Sequence, residues 1–186
     1  MDNAEDYRRA AAGEAPRTAD AFLAGLEAAT LGTLWMLAWM GFSAAWQRRS
    51  FWTAENLLAN AYHPNGAIPA GFGWSSISGL ALYLLLYGLL GAVFAMLRAG
   101  HRPSPVGTMM LAMIFALAWY YFSFHLLWRA VSPAISFLHA ERSTIAGHLI
   151  YGLSLGRFYS YFRPAEKPPS ETVAQETPSD PVAPGA

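Results

Sequence analysis

The sequence predicts an all-α integral membrane protein with four transmembrane helices, arranged as two tandem helical hairpins. Two observations lead to this prediction. Of the 186 residues, 54% are hydrophobic and only 13% are charged, about half the charged share of a typical soluble domain. The charged residues also avoid four long apolar windows, and about 20 apolar residues in a helix cross the hydrocarbon core of a bilayer. The first partner expected for this chain is therefore the lipid itself.

The four windows predict helices that together form one transmembrane domain over residues 21–163. We expect the spans at residues 22–46, 77–97, 107–128 and 144–162. Residues 1–20 are predicted to be a cytoplasmic N-terminal tail, because they begin with acidic residues and the apolar window after them is too long for a signal-peptide core. Residues 164–186 are rich in proline and acidic residues. They are predicted to be disordered, since they have almost no large apolar side chains to bury.

Two short segments between the spans predict helices that lie along the outer membrane surface. The first covers residues 53–62, where Thr53 can cap a helix and Glu55 falls in its first turn. The second covers residues 133–142 and begins with a serine followed by proline, a pairing typical of a helix start. Both segments are too short to cross a bilayer. We expect each to be an interfacial helix, the second with a re-entrant turn as the alternative.

Two stretches share a spacing that indicates an internal repeat. Residues 75–83 and 143–151 both read Ser-(Ser/Thr)-Ile-small-Gly, with tyrosine four residues after that glycine and another glycine five residues after the tyrosine. Each stretch opens an apolar window. The second hairpin is therefore interpreted as a diverged, parallel copy of the first, related to it by an axis along the membrane normal. The alternative is two unrelated hairpins built under the same compositional constraints.

Small residues on the predicted spans indicate close contacts between helices, because they let helix backbones approach each other. Tyrosines share faces with some of these glycines. A buried tyrosine hydroxyl needs a hydrogen-bond partner, so a polar contact at the centre of the bundle is also expected. The predicted packing positions are Gly79, Tyr83, Gly88, Gly91, Gly147, Tyr151, Gly152 and Gly156.

Basic residues are distributed unevenly between the two membrane sides. With four spans, the side that holds both termini carries Arg8, Arg9, Arg17, Arg98, Arg102, Arg157, Arg163 and Lys167. The opposite side carries Arg48, Arg49, Arg129 and Arg142. The positive-inside bias then places both termini in the cytoplasm. The glycine-rich hairpins also resemble those of small bacterial inner-membrane proteins, a resemblance that implies no activity, and we expect the chain in that membrane.

Histidines are the residues with the clearest chemical potential. His125 and His148 lie at matching depths on the third and fourth predicted spans, and His139 and Glu141 lie in the short segment above them. Imidazole is a common metal ligand and the usual axial ligand of haem b. His125 and His148 could therefore ligate a haem, or bind a divalent metal with His139 and Glu141. The alternative is that the imidazoles hydrogen-bond to each other, to a tyrosine or to interfacial water.

Several function classes are disfavoured by the sequence. The chain has no cysteine, which excludes disulfides and thiolate chemistry, and its zero net charge gives no basic field for nucleic acid. No nucleotide-binding loop or hydrolase motif is present. The leading hypothesis is a non-enzymatic accessory or scaffold subunit that associates through its glycine-rich faces, as a homo-oligomer or within a larger membrane complex. The alternatives are a haem- or metal-binding redox protein and a small transporter or channel.

Overall fold

The computed structural model describes residues 18–62, 71–99 and 104–161, apart from the side chain of Tyr159. Every regular element in these residues is helical, as the fold class predicted. The predicted C-terminal tail lies outside the described residues. Residues 1–17 of the predicted N-terminal tail also lie outside them. The last residues of that tail, from Thr18 onward, already belong to the first helix.

The described chain contains seven α-helices and two helical turns of other types. Helix α1 covers Thr18–Trp46, α2 covers Thr53–Ala59 and α3 covers Trp74–Ala99. Helix α4 covers Pro105–Phe122 and continues through a π-helical turn, Ser123–Leu127, into α5, Trp128–Val131. Helix α6 covers Pro133–Leu138, α7 covers Glu141–Leu155, and a 3₁₀ turn covers Phe158–Tyr161.

Three helices are long and apolar enough to cross a membrane: α1, α3 and the continuous helix from Pro105 to Val131. Their length and composition suggest an integral membrane protein, and each overlaps one of the first three predicted spans. The predicted helix over residues 144–162 is shorter in the structure. Helix α7 has 15 residues, about 22 Å at 1.5 Å per residue, and the chain then turns at Gly156 before the 3₁₀ turn.

The chain from α7 to the 3₁₀ turn nevertheless runs beside α1 for most of its length. At one end, the indole Nε1 of Trp39 donates to the carbonyl of Ser143 at 3.0 Å. Midway, a Cβ on Gly32 would lie 3.2 Å from the ring of Tyr151. At the other end, Tyr161 lines an open groove with the first residues of α1. α7 and the 3₁₀ turn thus complete a four-part bundle.

Glycines set the closest helix contacts in both halves of the bundle. In the first half, a Cβ on Gly25 would lie 2.7 Å from the carbonyl oxygen of Gly91, where α1 crosses α3. In the second half, a Cβ on Gly152 would lie 2.8 Å from the Cα of Met113, where α7 crosses α4. Each pair of long helices therefore has its backbones in contact, and each pair is connected through a short helix. Whether this similarity reflects duplication remains a prediction.

The two short helices differ in their burial. All seven residues of α2 are buried, whereas α6 buries only Ile135. Helix α2 packs mainly against α3, and its polar residues Glu55 and Asn56 are as buried as its leucines. The interfacial prediction expected α2 to expose a polar face. In the structure the helix packs inside the protein instead. Its observed end at Ala59 and that of α6 at Leu138 are also earlier than predicted.

Candidate functional site

Three of the histidines gather around one buried tyrosine. The ring of Tyr120, on α4, has its centroid 5.9 Å from that of His125, 6.2 Å from that of His139 and 5.2 Å from that of His148. The π-helical turn carries His125, the link between α6 and α7 carries His139, and α7 carries His148. We call these four residues the Tyr120 cluster. It brings together the histidines that the sequence proposed, with the tyrosine between them.

His148 is the most buried member of the cluster, with 1% of its surface exposed. Its Nδ1 lies 2.7 Å from the carbonyl oxygen of Thr144, one helical turn earlier. A carbonyl only accepts hydrogen bonds, so Nδ1 carries the proton and Nε2 is the acceptor. The hydroxyl of Tyr87 donates to that Nε2 at 2.7 Å. Both ring nitrogens therefore have protein partners, one of them a tyrosine.

Tyr87 is itself part of a short buried chain of hydrogen bonds. Its carbonyl oxygen accepts from the hydroxyl of Tyr151 at 2.7 Å, which ties α7 to α3. The polar contact expected at the centre of the bundle thus involves Tyr151, as predicted. Its partner Tyr87 was missed by sequence reasoning. The available signal was its position four residues after Tyr83, which places both on one helix face.

His139 is in the same tautomer as His148, with the proton on Nδ1. Its Nδ1 donates to the carbonyl of Ser136 at 2.6 Å, and its Nε2 lies 3.4 Å from the hydroxyl of Tyr120. The ring also packs on Phe124, with centroids 4.4 Å apart. Burial lowers the pKa of His139, against the opposing effect of backbone hydrogen bonds from the end of α6. The neutral imidazole is therefore favoured.

His125 differs from the other two because its side chain is exposed. It lies in the π-helical turn and stacks on Tyr121, with ring centroids 5.5 Å apart and an interplanar angle of 20°. The same turn directs Phe124 inward, and the hydroxyl of Ser136 donates to the Phe124 carbonyl at 2.9 Å. A π-helical turn frequently marks a functional position in a helix. Here it leaves a polar side chain on the outward face of α4.

The predicted haem or metal ligands are near each other without forming a closed site. Glu141 lies exposed in the first turn of α7. Within the described ranges, no three histidine or acidic side chains are grouped so that they could hold a metal ion. A metal or haem on His148 would have to displace the Tyr87 hydroxyl from Nε2. The binding roles of His125, His139, His148 and Glu141 therefore remain predictions.

A second polar region lies where α2 packs on α3. The hydroxyl of Ser76 donates to Oδ1 of Asn56 at 2.8 Å, and the amide nitrogen of Asn56 donates to the carbonyl of Gly71 at 3.2 Å. Beside them, Glu55 is 2% exposed, and its Oε2 has no hydrogen-bond partner among the described residues. Sequence reasoning placed Glu55 only in a helical turn. Its burial depends on how α2 docks, which no local pattern encodes.

A small cavity of about 40 Å³ separates the two polar regions. It has room for one or a few water molecules. It lies at the end of the bundle where α1 finishes and α7 begins. Its polar lining consists of Ser43, Gln47, Arg49, Thr53, Tyr83, His139, Ser143 and Thr144. Tyr83 and His139 therefore face the same space from α3 and from the Tyr120 cluster.

The eight predicted packing residues are all buried within the chain. Gly79 lies against the backbone of Glu55, and Gly91 lies against Gly25. Gly152 and Gly156 lie against α4, at Met113 and Met109. The glycine-rich faces are thus occupied by helices of the same chain.

Comparison with known proteins gives no further guide to the site. No protein-family model, curated protein or solved structure matches this chain. Among the described residues, the region therefore offers two hydrogen-bonded imidazoles with their tyrosine partners, one buried carboxyl group with an oxygen that lacks a partner, and the exposed pair Tyr121 and His125.

Proposed function

We propose that the protein is a non-enzymatic accessory subunit of a membrane assembly, and that it associates through the outward face of α4. One observation carries this proposal: His125, stacked on Tyr121, is exposed on a helix long and apolar enough to span the bilayer. Polar side chains that face lipid are costly and rare. A partner that offers a hydrogen bond would remove that cost.

The surface that we propose differs from the one suggested by the sequence. The glycine-rich faces were expected to bind partners, but they are filled by contacts inside the chain. Helix α4 is the open element, since among the long helices it packs mainly on α7. Of the three candidate spans, the one that contains α4 has the smallest buried share, 28% of its most apolar window.

One set of exposed positions along α4 and the π-helical turn after it has a regular spacing. It forms a stripe with steps of four and three residues, the spacing of helices that pack in left-handed pairs. We call this face the α4 stripe; it consists of Gly107, Leu111, Ile114, Ala118, Tyr121 and His125, all exposed. Gly107 and Ala118 would permit a close approach by another helix.

The partner that best fits the α4 stripe is a second copy of this chain. Two copies inserted in the same direction present parallel α4 helices, so the same residues meet at the same depth. Tyr121 offers a hydroxyl donor, and one turn later His125 offers an imidazole acceptor. A two-fold interface requires a patch that complements itself, and this pair satisfies that requirement.

We further propose that the chain crosses the membrane four times, with both termini in the cytoplasm of a bacterium. This location is supported by the path of α7 and the 3₁₀ turn beside α1, from Ser143 near Trp39 to Tyr161 near Asp20. The excess of basic residues on the terminal side points in the same direction. Tagging each terminus with a reporter of membrane side would test it, and reporters on opposite sides would overturn it.

Crosslinking tests the association directly, because the chain has no native cysteine. Ala118→Cys places a thiol on the α4 stripe, and Ala81→Cys places one on an exposed position of α3 as the matched control. We expect oxidation in membranes to give dimers of the first variant only. Replacing His125 with Leu should weaken the dimer about threefold to tenfold, the effect of one buried hydrogen bond between membrane helices.

Native mass spectrometry in mild detergent supplies the opposing outcome. A protein that remains monomeric, co-purifies with nothing and crosslinks equally through both thiols would contradict the accessory role. If Ala118→Cys instead crosslinked to a different protein in a heteromeric complex, the accessory role would stand. The partner on the α4 stripe would then be that protein and not a second copy of this chain.

A haem- or metal-binding protein is the second candidate function. The observation that favours it is the convergence of three imidazoles on Tyr120. An absorption spectrum and metal analysis of the purified protein would test it. A haem band or stoichiometric metal that is lost in His148→Ala would support this function, and a colourless, metal-free protein would end it.

A further inference from the structure

We propose that Glu55 is a proton-binding site whose charge state controls how firmly α2 is seated on α3. This inference goes beyond the accessory role, because it concerns a different part of the molecule and a different ligand, the proton. It rests on the geometry of a seven-residue helix that is buried along its entire length.

The carboxyl group of Glu55 is enclosed and only partly compensated by a hydrogen bond from its own backbone. Only 2% of the residue is exposed, and Oε2 has no hydrogen-bond partner among the residues that the structure describes. A buried carboxylate is strongly disfavoured unless it is paired or hydrogen-bonded. The protonated, neutral carboxyl group is therefore the form that fits this position.

The backbone at Glu55 leaves the side chain little freedom to escape. Gly79 of α3 lies directly against the Glu55 carbonyl, so that α2 and α3 touch through main-chain atoms. Hydrogen bonds from Asn56 to Gly71 and from Ser76 to Asn56 attach the next residue of α2 to the start of α3. To reach water, a charged Glu55 would have to move with α2 as a unit.

Among the residues that the structure describes, no basic side chain bonds to Oε2 of Glu55. On α3, Tyr83 interacts electrostatically with Glu55. Its side chain is a phenol, which is uncharged at neutral pH. The titratable residues of α1, Asp20 and Glu27, lie at its other end, and α6 contains none. Arg49, after α1, directs Nη2 to the carbonyl of Leu138.

One more titratable group lies in this region. His139, in the α6–α7 link, faces the cavity that Tyr83 also lines. Because burial lowers its pKa, His139 favours the neutral imidazole and does not act as a fixed positive partner. Among the named groups at this end of the bundle, only Arg49 carries a fixed charge, and its guanidinium donates to the carbonyl of Leu138.

The direction of the pH effect follows from burial. Burial raises the pKa of Glu55 from 4.5 to about 7, and a hydrogen bond from its own backbone opposes that rise. Between these two values the seated state binds the proton more tightly than the unseated state. The seating of α2 should consequently weaken as the pH rises from 4.5 to about 7, and change little above that range.

Single cysteines in the full-length chain can measure the seating. Ala59→Cys, on α2, replaces a residue that is 1% exposed, and Tyr62→Cys, just beyond α2, replaces one that is 60% exposed. The rate of maleimide labelling at the first site, divided by the rate at the second, removes the intrinsic effect of pH on the thiol. We expect this ratio to rise severalfold from pH 4.5 to about 7 and then to level off, and to stay low and flat when Glu55→Gln is added.

Two outcomes would overturn the proposal. One is a ratio that does not change with pH in the chain that retains Glu55, a result that does not depend on the folding of any Glu55 variant. The other is an equal rise in the Glu55→Gln chain. Infrared spectra of the otherwise unaltered protein give an independent check, since a protonated buried carboxyl band should be present at pH 6 and lost at pH 8.

Discussion

In the first half of the bundle, α1 to α3, the short helix is enclosed on every side, whereas in the second half, α4 to α7, the short helix α6 buries only Ile135. The difference extends to the long helices. Helix α3 meets α1 and α2 through main-chain contacts at Gly91 and Gly79. Helix α4 packs mainly on α7 and exposes the α4 stripe. The short helix of the first half is thus the more enclosed one, and the second half carries the surface proposed above for a partner.

The halves also differ in their titratable groups. The first buries an acid, Glu55, with an unpartnered oxygen, and the second buries a base, His148, with both nitrogens bonded. A fully satisfied buried polar group helps to specify a unique core, whereas an unsatisfied one is costly. Because the charge of Glu55 changes with pH, the first half should respond to pH between 4.5 and about 7.

The largest effect is expected for Gly79→Ala. The added Cβ would collide with the carbonyl oxygen and Cα of Glu55, which are main-chain atoms that cannot turn aside. Helix α2 would have to shift, and overpacking of this kind costs about 3 kcal/mol of the free energy of unfolding. Denaturant unfolding in detergent, followed by circular dichroism, measures it.

Gly88→Ala is the matched control on the same helix. Its Cβ would meet only Cδ1 of Leu26, at 3.0 Å, and that is the end of a flexible side chain. Alanine also favours the helix over glycine by up to about 1 kcal/mol. Equal losses for the two variants would show that the contact of α2 with α3 is not the rigid feature proposed here.

Tyr87→Phe should have the next largest effect, because it tests the link between the halves. The variant leaves the buried Nε2 of His148 without its donor, and an unsatisfied buried acceptor costs about 2 kcal/mol. Tyr121→Phe, on a residue that is 53% exposed, should change monomer stability by less than about 0.5 kcal/mol. If Tyr87→Phe were equally harmless, the imidazole would have another partner.

The sequence was sufficient for the parts of this structure that depend on apolar length. The first three spans, the short helices and the burial of Gly79 and Tyr151 follow from hydropathy, turn residues and helical spacing. The depths assigned to His125 and His148 were also close enough to bring both to the ring of Tyr120.

The features that the sequence missed depend on docking. Glu55 and Asn56 look like the polar side of a surface helix, and they are buried only because Gly79 lets α2 approach α3 so closely. Tyr87 lies outside the repeated spacing, which pairs Tyr83 with Tyr151, so the repeat does not indicate it. The outward position of His125 arises from a π-helical turn, which shifts helix faces in a way that a uniform 100° per residue does not predict.

A smaller effect is expected from acid, and it should act on the second half. Burial lowers the pKa of His139 below 6.5, so the unfolded chain binds this proton more tightly than the folded one. The contribution of neutral His139 to the free energy of unfolding is therefore complete above pH 6.5 and declines as the pH falls below that value. His139→Gln should flatten that acid limb of the stability curve and leave the limb above pH 6.5 unchanged. A curve with the same acid limb in both proteins would assign it to another group.

The smallest effect is expected for Gly147→Ala, the position that the proposed repeat equates with Gly79. The new Cβ would lie 3.1 Å from Cγ of Met36 and 3.4 Å from Cγ of Met40, and methionine side chains adapt readily. The gain in helix propensity, up to about 1 kcal/mol, should offset the crowding and leave the free energy of unfolding nearly unchanged. If instead Gly147→Ala lowered the free energy of unfolding as much as Gly79→Ala, the two glycines would contribute equally to stability. The two halves would then share both the sequence pattern and its energetic effect. A near-zero result beside a loss of about 3 kcal/mol would mean that the shared pattern is retained for different reasons: a main-chain contact in one half, and a contact with flexible side chains in the other.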